Sequence, residues 1–297
     1  MISLPLLLTA VLAVGDDPYV RSRVDTGTSV DPNAHCLWWD QREVVFQQHQ
    51  RGNPDTTGDN EFLAVAQSLQ TWAEANRSCG HLSISEGPRV TDHRIGISTT
   101  GGTDQNIIVF RQAWCGDTVP ASHSCWQDET CMNTHDCWNM SKNTIALTTT
   151  TYETRTGRIF DADVELNAAF FVFTTVDGPP CTPPVFNQGC VATDVENTMT
   201  HELGHALGLD HTRFPGSTMN ATAPGGETSK RVLDEGSRQF ICDTYPPGRP
   251  PQDCVVQPVP TPNALGESAG CMNGAFAVTA LGLGAVLWQG GRRRRTR

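Results

Sequence analysis

The sequence predicts an α/β protein, a sandwich around one mixed sheet. Short strand-like runs lie at 44–48, 82–85, 107–110, 145–152 and 159–166, some alternating apolar and polar. Longer segments at 61–75, 194–208 and 234–245 read as helices. The resulting order of strand, helix, strands, helix, helix suits helices layered on a sheet. A chain of 297 residues is long enough to bury a sizeable core.

The elements follow in chain order. Residues 16–35 are polar and turn-rich and read as an N-terminal extension. After Trp38 and Trp39, Val44, Phe46 and Gln48 alternate with Val45 and Gln47, which marks a strand. Asp59 is placed to cap a helix in which Phe62, Val65, Leu69 and Trp72 recur on one face. Residues 111–143 hold Trp114, Trp126, Trp138 and four cysteines, and read as a disulfide-tied insertion. The Thr-rich run at 145–152 is a strand, Thr156-Gly157 a turn, and 159–166 the next strand. Residues 246–270 carry seven prolines without periodicity and read as a spacer.

Charge excludes one class of partner. Five of the 21 basic residues fall at 271–297, leaving sixteen bases against 32 acids before them. A surface that acidic does not suit nucleic acid. The expected assembly is a monomer.

The ends point to export. Ile2 to Val14 is apolar and precedes Gly15-Asp16-Asp17, like the core of a secretory signal spanning 1–15. From Ser268 to Gly291 there is no charge, and Arg292 to Arg295 follow. That length spans a bilayer, with the Arg cluster held on the cytoplasmic side. Gly270-Cys271, the apolar body and the Arg cluster together resemble the C-terminal sorting tail of myxobacterial surface proteins. The resemblance implies membrane association through the tail at 271–297, processing near Cys271 and delivery to the cell surface. A plain tail anchor is the alternative. With Cys271 set aside, ten cysteines remain, enough for five disulfides in an exported domain. Proximity in sequence suggests Cys181 with Cys190 and Cys242 with Cys254. Cys115, Cys125, Cys131 and Cys137 are spaced by 10, 6 and 6, which fits no zinc-knuckle pattern.

The chemistry concentrates at His201-Glu202-Leu203-Gly204-His205-Ala206-Leu207-Gly208-Leu209-Asp210-His211. On a helix capped by Asp194, His201 and His205 are i, i+4 neighbours whose rings can converge on one cation. Glu202 lies one position round and can reach a water beside that cation. Gly208 allows the chain to turn sharply, returning His211 as third ligand. Three imidazoles leave one tetrahedral position open, the pattern of a catalytic zinc site. Five positions are specified, so a chance match in this chain is on the order of 10⁻⁴.

These residues resemble the signature of the metzincin zinc endopeptidases, with Met219 in Ser217-Thr218-Met219 as the Met-turn. Thr212, after the third His, is nearest to the Ser common in matrixins, and Asp161-Ala162-Asp163-Val164-Glu165 looks like the matrixin strand before the active-site helix. The resemblance implies a twisted five-stranded mixed sheet with an antiparallel edge strand at 145–152, packed against the active-site helix and two further helices, over residues 36–245. It also implies one catalytic Zn²⁺ and a protein or peptide substrate added to the edge strand. One departure is plain: Cys36, in Ala-His-Cys-Leu-Trp, does not match the matrixin cysteine switch. Asp161, Asp163 and Glu165 share one face of their strand and can bind Ca²⁺, with a solvated face as the alternative. The expected reaction is peptide hydrolysis with Glu202 as general base. The rivals are a zinc hydrolase of cell-wall amides, a surface module with structural zinc, and a precursor that processes itself.

Overall fold

A computed structural model describes residues 18–24, 33–97, 105–254 and 284–286. The expected leader at 1–15, most of the spacer, and Cys271 lie outside the described residues. The strands are β1 (Val20–Arg21), β2 (Trp38–Trp39), β3 (Glu43–Gln48), β4 (Ser83–Glu86), β5 (Asn106–Phe110), β6 (Ala146–Tyr152), β7 (Arg158–Leu166), β8 (Phe173–Thr174), β9 (Thr193–Asp194), β10 (Leu209–Asp210) and β11 (Gly284–Val286). The helices are α1 (Asn60–Cys79), α2 (Cys115–Thr118), α3 (Cys131–His135), α4 (Val195–Ala206) and α5 (Glu235–Thr244).

The main sheet runs β6-β7-β5-β3-β4, with β7, β5, β3 and β4 parallel and β6 antiparallel to β7. This is the mixed five-stranded sheet expected from the sequence. Two short strands extend it: β2 pairs parallel with β7, and β11 pairs antiparallel with Thr150–Tyr152 of β6. On β3, Val44, Phe46 and Gln48 turn inward, so the alternation read in the sequence is the burial pattern. Helix α1 buries Phe62, Val65, Leu69 and Trp72 on the stripe expected. Its start differs in one respect. The Asp59 side chain caps no backbone N–H, and instead accepts a hydrogen bond from Arg89 at 3.2 Å.

All ten expected cysteines are paired, and the map corrects one guess. Cys181–Cys190 closes the Pro-rich loop as expected. Cys242, however, joins Cys79 at the end of α1, and Cys254 joins Cys36. Proximity in sequence misled here, because α5 lies beside α1 and the segment after α5 folds back across the N-terminal strands. Residues 246–254 are therefore strapped to the domain: Asp253 accepts from the Cys36 and Cys254 N–H groups and pairs with His35. The insertion is tied by Cys115–Cys137 and Cys125–Cys131 around a small core with Trp138 and Leu147.

The acidic strand face is buried, not solvated: Asp161, Asp163 and Glu165 are 1%, 1% and 0% exposed. Asp163 accepts from the N–H groups of Gly96 and Ile107, which fastens a loop and the start of β5 to β7. Burial and the neighbouring Asp161 push its carboxyl well above the usual range. Glu165 faces Arg111, wholly buried, whose Nε donates to it at 2.7 Å. At Glu165 the positive charge thus comes from within the protein. No spacing in the sequence marks Arg111 as its partner.

Candidate metal centre

Helix α4 carries the first two imidazoles, and both its ends are fastened. The Asp194 carboxylate accepts the Asn197 N–H at 2.7 Å, the cap read from the sequence. Arg231 holds the same carboxylate through Nε at 2.8 Å and a terminal nitrogen at 2.5 Å. At the other end the helix is buried, so its last carbonyls need internal donors. Trp39 Nε1 donates to Ala206 O at 2.8 Å and the Tyr245 hydroxyl to Leu207 O at 2.8 Å. Nearly two turns earlier, Trp72 Nε1 donates to Thr200 O at 2.9 Å. Aromatic donors from β2, α1 and the end of α5 thus meet carbonyls of α4 and of Leu207 just beyond it.

Gly208 makes the turn at φ +109°. A β-carbon there would lie 2.6 Å from Leu37 O. Both the dihedral and the close approach require glycine. The chain then enters β10, which pairs antiparallel with β1, and Ser22 N donates to Gly208 O at 2.9 Å. The N-terminal segment read as an extension is thus part of the support for His211. Gly208→Ala is expected to lose about 1–3 kcal/mol in chemical denaturation; an unchanged midpoint would show that the turn carries no strain.

The three rings meet. Nε2 of His201 and Nε2 of His211 are 3.1 Å apart, His205 and His211 3.1 Å, and His205 and His201 3.2 Å. The Nδ1 sides of two rings are committed: His201 Nδ1 donates to Thr218 O at 2.7 Å and His205 Nδ1 to Leu209 O at 2.9 Å. Those tautomers leave Nε2 lone pairs facing inward, where they repel one another and can bind a cation. Three corners of a zinc tetrahedron with bonds of about 2.0–2.1 Å lie about 3.3 Å apart, so the triangle fits zinc. Burial, with His205 adding to it, holds His201 well below its usual pKa and takes His211 down to about 3. Both stay neutral, as metal ligands must.

Glu202 is 7% exposed, and its carboxylate accepts the Thr148 hydroxyl at 2.7 Å. Burial raises its pKa against the opposing pull of His205 and Thr148. Thr148 belongs to β6, so the sheet edge and the helix meet at the acid. Met219 is fully buried, with Sδ so close to Gly204 that a β-carbon there would collide. Its carbonyl accepts the Thr212 N–H at 3.0 Å, closing the loop from His211. Met219 therefore packs against α4 at Gly204, next to His205.

Among the described residues, two other groups gather possible metal ligands. In His123, Cys125 and His135, Cys125 is held in a disulfide and His123 Nδ1 accepts the Cys125 N–H. In Cys36, Asp253 and Cys254, both thiols are joined. Neither offers free ligands comparable to the three imidazoles.

A matrixin family model matches residues 38–246. The chain belongs to the matrixin family. Membership implies a zinc-dependent metallopeptidase acting on proteins or peptides, in accord with the triad of rings. In this matrixin the matched span holds the whole main sheet except β11, together with α4 and the Met219 loop. Trp39, Thr148, Tyr245 and Arg231 also support the site, outside any motif of the sequence. Each acts across the fold, so no local spacing marks it.

Proposed function

We propose that this matrixin is an endopeptidase in which Glu202 carries the proton between water and the leaving amine. The observation behind this reading is the triangle of Nε2 atoms with one buried carboxylate beside it on the same helix. Zinc, when bound by His201, His205 and His211, supplies Lewis acidity toward the scissile carbonyl and makes water a stronger acid. Glu202 takes a proton from the attacking water. It then gives that proton to the amine nitrogen as the peptide bond breaks, ending ready for another cycle. Burial raises its basicity, and Thr148 keeps one carboxylate oxygen in place. Extended substrate adds to the outer edge of Ala146–Thr149, the half of β6 beside Glu202. Among the described residues, β11 covers only Thr150–Tyr152.

Removing the metal tests this reading. Phenanthroline should abolish cleavage of casein and of a quenched-peptide pool, and equimolar zinc should restore it. Persisting turnover by protein shown free of metal would end the proposal. Running peptidoglycan in parallel separates a peptidase from a cell-wall amidase.

We also propose that the protein works outside the cytoplasm, at the cell surface or beyond it. Five disulfides within one domain support an oxidising compartment. Among the described residues no helix is long and apolar enough to cross a membrane. The proposal that the tail is processed near Cys271 rests on its sequence, and mass spectrometry of the mature C-terminus tests it.

A further inference from the structure

We propose that Lys230 is a positioning residue that fixes residues 220–222 as one wall of the substrate site and so helps set side-chain specificity. The proposal deepens the peptidase reading and rests on it.

Lysine is almost never buried unless its ammonium is paired. Lys230, in the 3₁₀ turn Ser229–Arg231, is 3% exposed. Its Nζ donates to Asn220 O at 2.9 Å and Thr222 O at 2.7 Å, and pairs with Glu227 at 3.4 Å. Three donors thus meet three partners. The two carbonyls belong to an irregular segment, so an apolar side chain in place of Lys230 would strip them of this donor.

The clamp has a rigid base. The Lys230 N–H donates at 2.8 Å to the Asn197 side chain on α4, one turn before His201. On its other side the clamped segment follows Met219 directly, and Asn220 bridges to Thr212, the neighbour of His211. Residues 220–222 are therefore held to the metal-bearing helix through one ammonium and to the metal-bearing loop through one backbone bridge. Ala221 and Thr222 remain exposed, so the segment presents a surface while its carbonyls point inward.

The position matters for substrate. Thr148 of β6 reaches α4 at Glu202, and Thr218 reaches it at His201. On this proposal an extended chain at the metal lies between β6 and the segment that follows Met219.

The test compares Lys230→Met and Lys230→Arg with wild type, as full-length protein with zinc content verified. Two readouts are taken: cleavage of a peptide library randomised on both sides of the scissile bond, and amide hydrogen exchange. In Lys230→Met, exchange across 218–224 should accelerate on the order of ten- to a hundredfold, while 201–207 stays protected. Discrimination among side chains at one library position should flatten, with KM rising more than kcat falls. Lys230→Arg, which keeps donors, should lie between. An unchanged exchange pattern and library profile in either folded variant overturns the proposal, as does a uniform loss of rate that tracks zinc content. If Lys230→Met does not fold, the Lys230→Arg profile decides alone. Should wild type cleave nothing while 218–224 still loosens, the peptidase reading fails and the clamp stands.

Discussion

Glu202→Gln should lower kcat on the best peptide substrate by about 10²–10⁴, the usual contribution of a positioned general base. Gln has the same shape and can keep a hydrogen bond to the Thr148 hydroxyl, but its amide cannot accept and return a proton. The three imidazoles are untouched, so zinc should remain stoichiometric and KM should move little. Stability should hold or rise, because the substitution removes a carboxylate that burial disfavours. A melting temperature at or above wild type with turnover nearly lost is the combined signature. Turnover within a few-fold of wild type at full zinc occupancy would sink the assignment of Glu202 as base.

Arg111→Met should have the largest effect on stability, about 3–5 kcal/mol, because it leaves a buried carboxylate without its cation. Arg111 is fully buried. It donates to Glu165 at 2.7 Å, to Asp136 at 2.7 Å and to His93 O at 2.9 Å, joining β5, β7 and the insertion. Burial already holds the Glu165 pKa above its usual value, and losing Arg111 raises it further. The sign follows. A carboxyl with a raised folded-state pKa binds protons that the unfolded chain has already released, so stability falls as pH rises through that window. The defect should therefore be greatest at neutral pH and shrink in mild acid. Adding Glu165→Gln should recover much of the loss. Urea titrations of the single and double variants at two pH values check this; an equal loss at both would mean that Glu165 is not the cause.

The candidate metal ligands are legible in the sequence because they are local. His201, Glu202 and His205 sit on one stretch of helix, and Gly208 announces the turn to His211 through backbone freedom alone. The strands and α1 were legible for a similar reason: alternation and helical spacing record which face is buried. Asp59 was read as a cap on composition, but a cap needs a geometry that composition does not guarantee.

What the sequence determined by itself was the make-up of the centre: which imidazoles can gather round a cation, which acid stands beside them, and where the helix must end. These follow from spacing along a single element, where rise and turn are set by the backbone. The tertiary structure alone decided that Cys79 pairs with Cys242 and Cys36 with Cys254, that Arg111 neutralises Glu165, and that Trp39, Tyr245 and Lys230 brace the centre. Those partners lie from 8 to 218 residues apart in sequence. Burial makes each unsatisfied carbonyl, carboxylate or ammonium costly, and only the packed fold reveals which distant group meets that need.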